Sequence, residues 1–320
     1  MGSFIDHIGS EVVILGHHNA DPDAIGAAVG IKELVEKLSP SSKVSCIMPA
    51  DISALSGRII KTLGLEIREQ YSGPFDTLII VDTGSLNQLG EWEEKVRGSG
   101  FNLLVIDHHS RNPEYEALSD FYLIDEGVGA ASELVHRLFK EYDLTPSIAS
   151  AKALMAGITF DTKFFSIGSS QTYKVVSELL EITGNMSSIR ELFNSNYGIP
   201  EKIARIKTVQ RTKTYQKGGW IIAYSQLGSY QASGARGLLS LGADVAIVTG
   251  ENRGSLRSSL RSTQGFYDNT SIHLGELISK VSESFDGQGS GHPTAAGFNG
   301  KGDVESYHKK LLSALTELIS

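Results

Sequence analysis

Short apolar runs alternate with stretches of helical spacing through the first half of the chain. Glu11-Val-Val-Ile-Leu-Gly16 is continuously apolar, the pattern of a strand buried on both faces. Ala24–Leu38 follows with Ile25, Ala28, Val29, Ile31, Leu34, Val35 and Leu38 at helical intervals. Lys43–Met48 then reads as a strand, Ile52–Leu63 as a helix, Thr77–Asp82 as a strand, Trp92–Val96 as a short helical piece and Leu103–Asp107 as a strand. Ala130–Tyr142 and Ile148–Gly157 read as further helices. This βαβα rhythm predicts an α/β fold with a doubly wound, mostly parallel sheet.

The period changes after Thr183-Gly184-Asn185, which reads as a helix stop. Pro200 opens a helix, Glu201–Thr212, expected as a connector over residues 191–213. That places a first domain at 1–190 and a smaller α/β domain with a mixed sheet at 214–320. Its expected strands are Gly219–Ser225, Ala243–Thr249 and Ser255–Ser262, and its helices Ile272–Ser284 and Asp303–Ile319. No internal repeat and no low-complexity segment interrupts the pattern. Lys202, Arg205, Lys207, Arg211 and Lys213 read as a solvated helix face rather than a nucleic-acid groove.

Composition agrees with two domains: 320 residues, 40% hydrophobic and 21% charged, carry ample material for a core. The net charge of −8 argues against tight, non-specific binding to long duplex DNA. It leaves room for a small anion, because a few arginines or metal ions reverse the potential of one cleft. A single cysteine, Cys46, in a strand-like run, leaves no disulfide framework within the chain. The first residues show neither a basic start nor an apolar signal core, and no apolar stretch is long enough to span a membrane. A cytoplasmic protein with no membrane partner is expected.

The chemistry lies in where His and Asp fall. His17-His18-Asn-Ala-Asp21-Pro-Asp23-Ala-Ile-Gly26 directly follows the first strand, Asp82 ends the strand Thr77–Asp82, and Asp107-His108-His109 ends the strand Leu103–Asp107. Asp161 follows the run Ala149–Gly157. In open α/β sheets, ligands bind beyond the carboxyl ends of the strands. Asp21 or Asp23 alone would pass as a helix cap. Together, these strand ends bring several carboxylates and imidazoles to one edge, an arrangement that cations neutralise. The simplest neutraliser is two divalent cations. Imidazole and carboxylate without thiolate suit Mn²⁺ best, with Mg²⁺, Co²⁺ or Fe²⁺ as alternatives. Such a pair clamps the attacking and leaving oxygens of a displacement at phosphorus.

These residues also match a family. His-x3-Asp-x-Asp-x2-Gly, then Val-Asp-Thr-Gly, Ile-Asp-His-His and Gly-Ile-x2-Asp-Thr, in this order, resemble the motifs of the DHH phosphoesterases. The resemblance implies that His17 and Asp21 bind one metal, that Asp23, His108 and Asp161 bind the other, and that Asp82 bridges them. His109 is then the catalytic residue facing the phosphate or the leaving group, and Asp107 orients its neighbours. His18 falls outside the pattern and reads as structural. Lys163 stands where many relatives carry a smaller residue.

Downstream, Gly287-Gln-Gly289-Ser-Gly291-His292-Pro-Thr-Ala-Ala-Gly-Phe298 reads as a loop whose glycines let backbone N–H groups approach an anion, with His292 adding charge. Arg257, Ser259 and Arg261 share one face of a strand, which favours a phosphate clamp. The string resembles the glycine/histidine signature of the DHH-associated C-terminal domain, with Ser290 in place of the middle glycine. It implies substrate contacts from Arg257, Arg261, Gly289, Gly291 and His292, in a domain that closes over the catalytic cleft. His273 reads either as a helix-start residue or as part of that grip.

The function expected is a two-metal, Mn²⁺-dependent phosphoesterase of nanoRNase type, cleaving short oligonucleotides or small nucleotides such as 3′-phosphoadenosine 5′-phosphate. The alternatives are a RecJ-type single-strand exonuclease, a cyclic-dinucleotide phosphodiesterase, an inorganic pyrophosphatase and a non-enzymatic nucleotide-binding scaffold. The expected partner is the short nucleotide substrate, and a homodimer is an assembly open to the chain.

Overall fold

The computed structural model describes residues 2–49, 51–98, 100–194 and 197–319. It divides into two compact units, Met1–Asn194 and Ser195–Ser320. The first unit runs β1 (Glu11–Leu15), α1 (Pro22–Leu38), β2 (Lys43–Ile47), α2 (Ala54–Leu63), β3 (Thr77–Val81), α3 (Glu93–Val96), β4 (Asn102–Asp107), α4 (Pro113–Leu118), β5 (Phe121–Ile124), α5 (Ala131–Glu141), α6 (Ile148–Asp161), α7 (Ser170–Thr183) and α8 (Met186–Phe193). The second runs α9 (Ile199–Gln210), β6 (Lys213–Lys217), β7 (Trp220–Gln226), α10 (Gln231–Ser240), β8 (Val245–Asn252), β9 (Ser255–Ser262), α11 (Gln264–Thr270), α12 (Leu274–Ser282), β10 (Gln288–His292), β11 (Ala295–Lys301) and α13 (Val304–Leu318).

The first sheet has the order β2-β1-β3-β4-β5, and every pairing in it is parallel. Its strands read as continuous apolar runs because both faces are covered. Val12, Ile14, Ile79, Val81, Leu104 and Ile106 join the core beneath α1, α5 and α6. The alternate residues Val13, Leu15, Leu78, Ile80, Leu103 and Val105 pack on the other face with Leu89, Trp92 and Tyr115. The strand order reverses at β1, between β2 and β3, so the loops after β1 and β3 diverge and open a crevice at their carboxyl ends.

Helix α1 is fixed at its start by the Asp21 cap and by Pro22 in the first turn, where a missing N–H costs nothing. It packs so tightly on α6 that a methyl on Gly26 would meet the Ala153 carbonyl oxygen at 2.6 Å and Ser132 Oγ at 2.8 Å. Helix α6 does not stop near Gly157 as its apolar run suggests; it continues to Asp161, which is its last residue.

The second sheet is mixed, in the order β10-β11-β9-β8-β7-β6, with β7–β8 parallel and the other pairings antiparallel. Two expectations change here. The segment 191–213 is not one connecting helix: it holds the end of α8, then α9, and α9 belongs to the second unit. Ala204 is buried in a cluster with Ala223, Ala235 and Leu238, and Arg205 donates to the Ser233 carbonyl at 3.0 Å while stacking on Tyr197. The glycine string is a β-hairpin, β10–β11, rather than a loop. Glycines on both sides of the contact let α12 approach: a methyl on Gly289 of β10 would meet the Ile278 carbonyl at 2.9 Å, and one on Gly275 of α12 would meet the Gly291 carbonyl at 2.3 Å. Among the described residues no helix is long and apolar enough to cross a membrane.

Candidate functional site

Asp21, Asp23, Asp82, His17, His108 and Asp161 meet at the carboxyl ends of β1, β3 and β4. Two groups of ligand-type atoms lie within 4.8 Å of one another, His17/Asp21/Asp82 and Asp23/Asp82/His108/Asp161, and Asp82 belongs to both. His17 Nε2 stands 3.9 Å from both Asp21 Oδ2 and Asp82 Oδ2. His108 Nε2 stands 3.2 Å from Asp161 Oδ2 and 3.4 Å from Asp82 Oδ1.

Each side chain is positioned by its backbone setting. Asp21 caps α1 through Oδ1, which accepts from the Asp23 and Ala24 amides, and so aims Oδ2 at the cluster. Asp23 is fully buried, and its oxygens accept from Ala131 N at 2.6 Å and Ser132 N at 3.0 Å, the first amides of α5. A helix start favours a carboxylate there. Asp82 leaves β3 with φ 50, a left-handed conformation unfavourable for a residue with a Cβ and held here by its neighbours. His17 donates Nδ1–H to the His18 carbonyl at 2.7 Å, which leaves Nε2 free to face the cluster.

Asp107 has a different role. Its Oδ1 accepts from His109 Nδ1 at 2.7 Å and from the His108 amide at 2.8 Å. A third group of ligand-type atoms, Asp82/Asp107/His108/His109, is close enough for an ion, but these hydrogen bonds already occupy Asp107 Oδ1. His109 is half-exposed, with Nε2 left for a substrate. The Asp107 hydrogen bond holds the His109 pKa above the ordinary histidine range.

The electrostatics ask for cations. Carboxylates this close repel by roughly 3–4 kcal/mol per pair at an effective dielectric of about 20. Burial, then Asp82 and Asp161, pushes Asp21 up to about 6 and Asp23 well above the carboxylate range. Burial alone would depress His108, yet Asp161 and Asp82 overcome it and push it up to about 11. Asp82 Oδ1 and His108 Nε2 are buried without a hydrogen-bond partner. Orphaned, converging N and O donors with no sulfur are what hard or borderline divalent cations require, so the residues fit such a centre.

The expected substrate residues gather in the second unit. Arg257 and Arg261 of β9 and Ser290, Gly291 and His292 of β10 line a cavity of about 610 Å³. Gly289 does not line it: in β10 it faces the opposite way, against Ile278 of α12. Sequence reasoning missed Tyr230 and Gln231, which lead into α10 and line the same cavity, and Arg236, whose charge, after burial, lowers the pKa of Arg261. Among the described residues none of Arg236, Arg257 and Arg261 has a carboxylate within ion-pair distance, so the cavity suits an anion. His273 is a helix-start residue: it caps α12, with Nδ1 accepting from the Glu276 amide at 3.2 Å. His18 donates Nδ1–H to the Gln88 carbonyl at 2.9 Å. Lys163 opens three consecutive left-handed residues, Lys163, Phe164 and Phe165, just after Asp161.

Fold and site together define a two-unit α/β protein with a shared-carboxylate His/Asp centre at a sheet switch point. The chain belongs to the DHH family: the DHH family N-terminal domain matches residues 11–158 and the DHHA1 domain residues 236–320. An uncharacterized protein of Methanocaldococcus jannaschii is 31% identical over 311 residues, 96% of this chain and 92% of that protein. The bifunctional oligoribonuclease and PAP phosphatase NrnA of Bacillus subtilis is 26% identical over 191 residues, 58% of this chain and 56% of that protein. A probable manganese-dependent inorganic pyrophosphatase of Bacillus cereus is 28% identical over 182 residues, 54% of this chain and 56% of its own length. The chain thus spans little more than half the length of these last two relatives.

Proposed function

We propose that the chain is a Mn²⁺-dependent phosphoesterase acting on short oligonucleotides or small nucleotides. The observation that carries this reading is the pair of His/Asp groups joined through Asp82. In it, His17 and Asp21 would hold one cation, Asp23, His108 and Asp161 the other, and Asp82 would contribute to both. Two divalent cations bound there would supply charge neutralisation for a phosphoryl group and activation of a water. His109, fixed through Nδ1 by Asp107, presents Nε2 to the phosphate or to the leaving oxygen and can carry a proton. Arg257, Arg261 and His292 bind the anionic part of the substrate.

The second domain favours a nucleotide over pyrophosphate. The DHHA1 match and the arginine-lined cavity support a substrate larger than pyrophosphate; the names of the relatives do not separate the two, since an oligoribonuclease and a pyrophosphatase match about equally well. The test is a panel with Mn²⁺: a dinucleotide, a trinucleotide, a 20-mer, a cyclic dinucleotide, 3′-phosphoadenosine 5′-phosphate and pyrophosphate. Turnover fastest on the dinucleotide, trinucleotide or 3′-phosphoadenosine 5′-phosphate is expected. Fastest turnover on pyrophosphate or on the 20-mer would replace the reading, and no turnover on any member would remove it.

A further inference from the structure

A second cavity, of about 650 Å³, lies within the C-terminal unit and shares no lining residue with the Arg257/Arg261/His292 pocket. One wall is the edge of the sheet. Lys213 and Tyr215 are two apart in β6 and so share a face, and Tyr224 of β7 lies directly across from Lys213. The other wall is α13, whose His308, Leu312 and Thr316 recur every four residues along one stripe. Arg211 and Lys309 complete the rim, against one acid, Glu305.

We propose that this groove binds a nucleoside monophosphate. Its volume falls in the range of small-molecule sites. Arg211, Lys213 and Lys309 against the lone Glu305 make it locally cationic in a chain of net charge −8, so an anion is favoured. An inorganic anion alone would leave the tyrosines and Leu312 unused, and a purely apolar ligand would leave the cations unused. Cations beside aromatic rings match a phosphate joined to a base that stacks. His308 adds a fixed polar edge: it is 7% exposed, its Nε2 is 2.8 Å from Thr249 Oγ1, and its ring stands edge-on to Tyr224. Burial holds it neutral, so it adds no charge to the groove. The inference does not depend on the hydrolytic reading, because it needs neither the metal centre nor the arginine pocket.

The test uses AMP and inorganic phosphate as probes, by calorimetric titration of the full chain in EDTA. An Arg261→Ala/His292→Ala background silences the other cavity. Saturable one-to-one AMP binding is expected there. Lys213→Glu with Tyr215→Ala in β6, or Lys309→Glu in α13, should each weaken it at least about tenfold. Strand β6 is exposed along its whole length, so its substitutions leave the core intact, and unchanged melting curves verify this. The proposal is overturned if AMP binding disappears with Arg261 and His292, if neither groove variant weakens it, or if phosphate alone binds as tightly as AMP.

Discussion

Gly157 of α6 lies against Asp23 so closely that a methyl group on it would meet the Asp23 carboxylate at 2.5 Å and its α-carbon at 2.9 Å. The same methyl would meet Ser132 Oγ at 2.4 Å. Asp23 is fixed from the other side by the first amides of α5, so it cannot yield without losing those hydrogen bonds. Gly157→Ala should therefore displace a carboxylate of the proposed centre although residue 157 supplies no ligand. A loss of at least about tenfold in Mn²⁺ affinity is expected, the scale for supports of a metal ligand, with a stability cost of about 1–3 kcal/mol for overpacking. Calorimetric Mn²⁺ titration beside a denaturant melt separates the two. Unchanged metal affinity in a folded variant would show that Asp23 does not ligate.

Asp82 is the shared member of both groups, held in a left-handed backbone at the end of β3. Asp82→Ala should remove turnover altogether, because both proposed cations would lose a ligand at once, whereas Asp21→Ala should leave one group complete. Steady-state rates on the preferred substrate across a Mn²⁺ titration check this. Activity above a few per cent for Asp82→Ala at saturating Mn²⁺ would exclude the bridging assignment.

Much of the catalytic half was legible because it obeys a simple rule. His17, Asp82 and Asp107 each follow an uninterrupted apolar run, which marks a strand buried on both faces, and parallel sheets place ligands at those ends. Strand β5 escaped notice because its apolar run, Phe121–Ile124, is only four residues long and lies half-buried at the sheet edge. The long-range supports were also invisible. Nothing in the local pattern of Ala131-Ser132 says that their amides bind an aspartate 108 and 109 residues upstream. The glycine string misled for a related reason. Glycine weakens a strand and suggests a loop, but here the missing Cβ atoms let α12 press onto β10, a tertiary requirement that overrides propensity.

In the anion cavity, His292 ends β10 across from Ala295, on the rim with Arg257 and Arg261. A residue that binds equally in ground and transition states changes KM and leaves kcat alone. His292→Ala should raise KM for a nucleotide substrate by about tenfold and change kcat by less than about threefold. Arg261→Ala should do the same more strongly, since it also removes a half-buried guanidinium held by the Leu260 and Ala296 carbonyls. Initial-rate curves decide: a large fall in kcat at unchanged KM would move His292 from binding to chemistry.

His308 should make the stability of the second unit depend on pH. Burial, then the charge of Lys213, pulls its pKa from an ordinary 6.5 down to about 4. Tyr224, Thr249, Lys213, Glu305 and Lys309 surround it or line the same groove, and the one carboxylate among them does not offset burial. As pH falls through 6.5 the unfolded chain takes up a proton that the folded chain refuses until about 4. The contribution of His308 to stability is therefore complete above 6.5 and lost progressively toward 4. By linkage the loss between pH 7 and pH 5 amounts to about 2 kcal/mol. His308→Gln keeps a partner for Thr249 but cannot titrate, so it should abolish that part of the slope. Urea melts of both proteins at pH 7 and pH 5 measure the difference. Equal pH dependence in the two would mean that His308 titrates normally in the folded protein and that the groove is wetter than its burial implies.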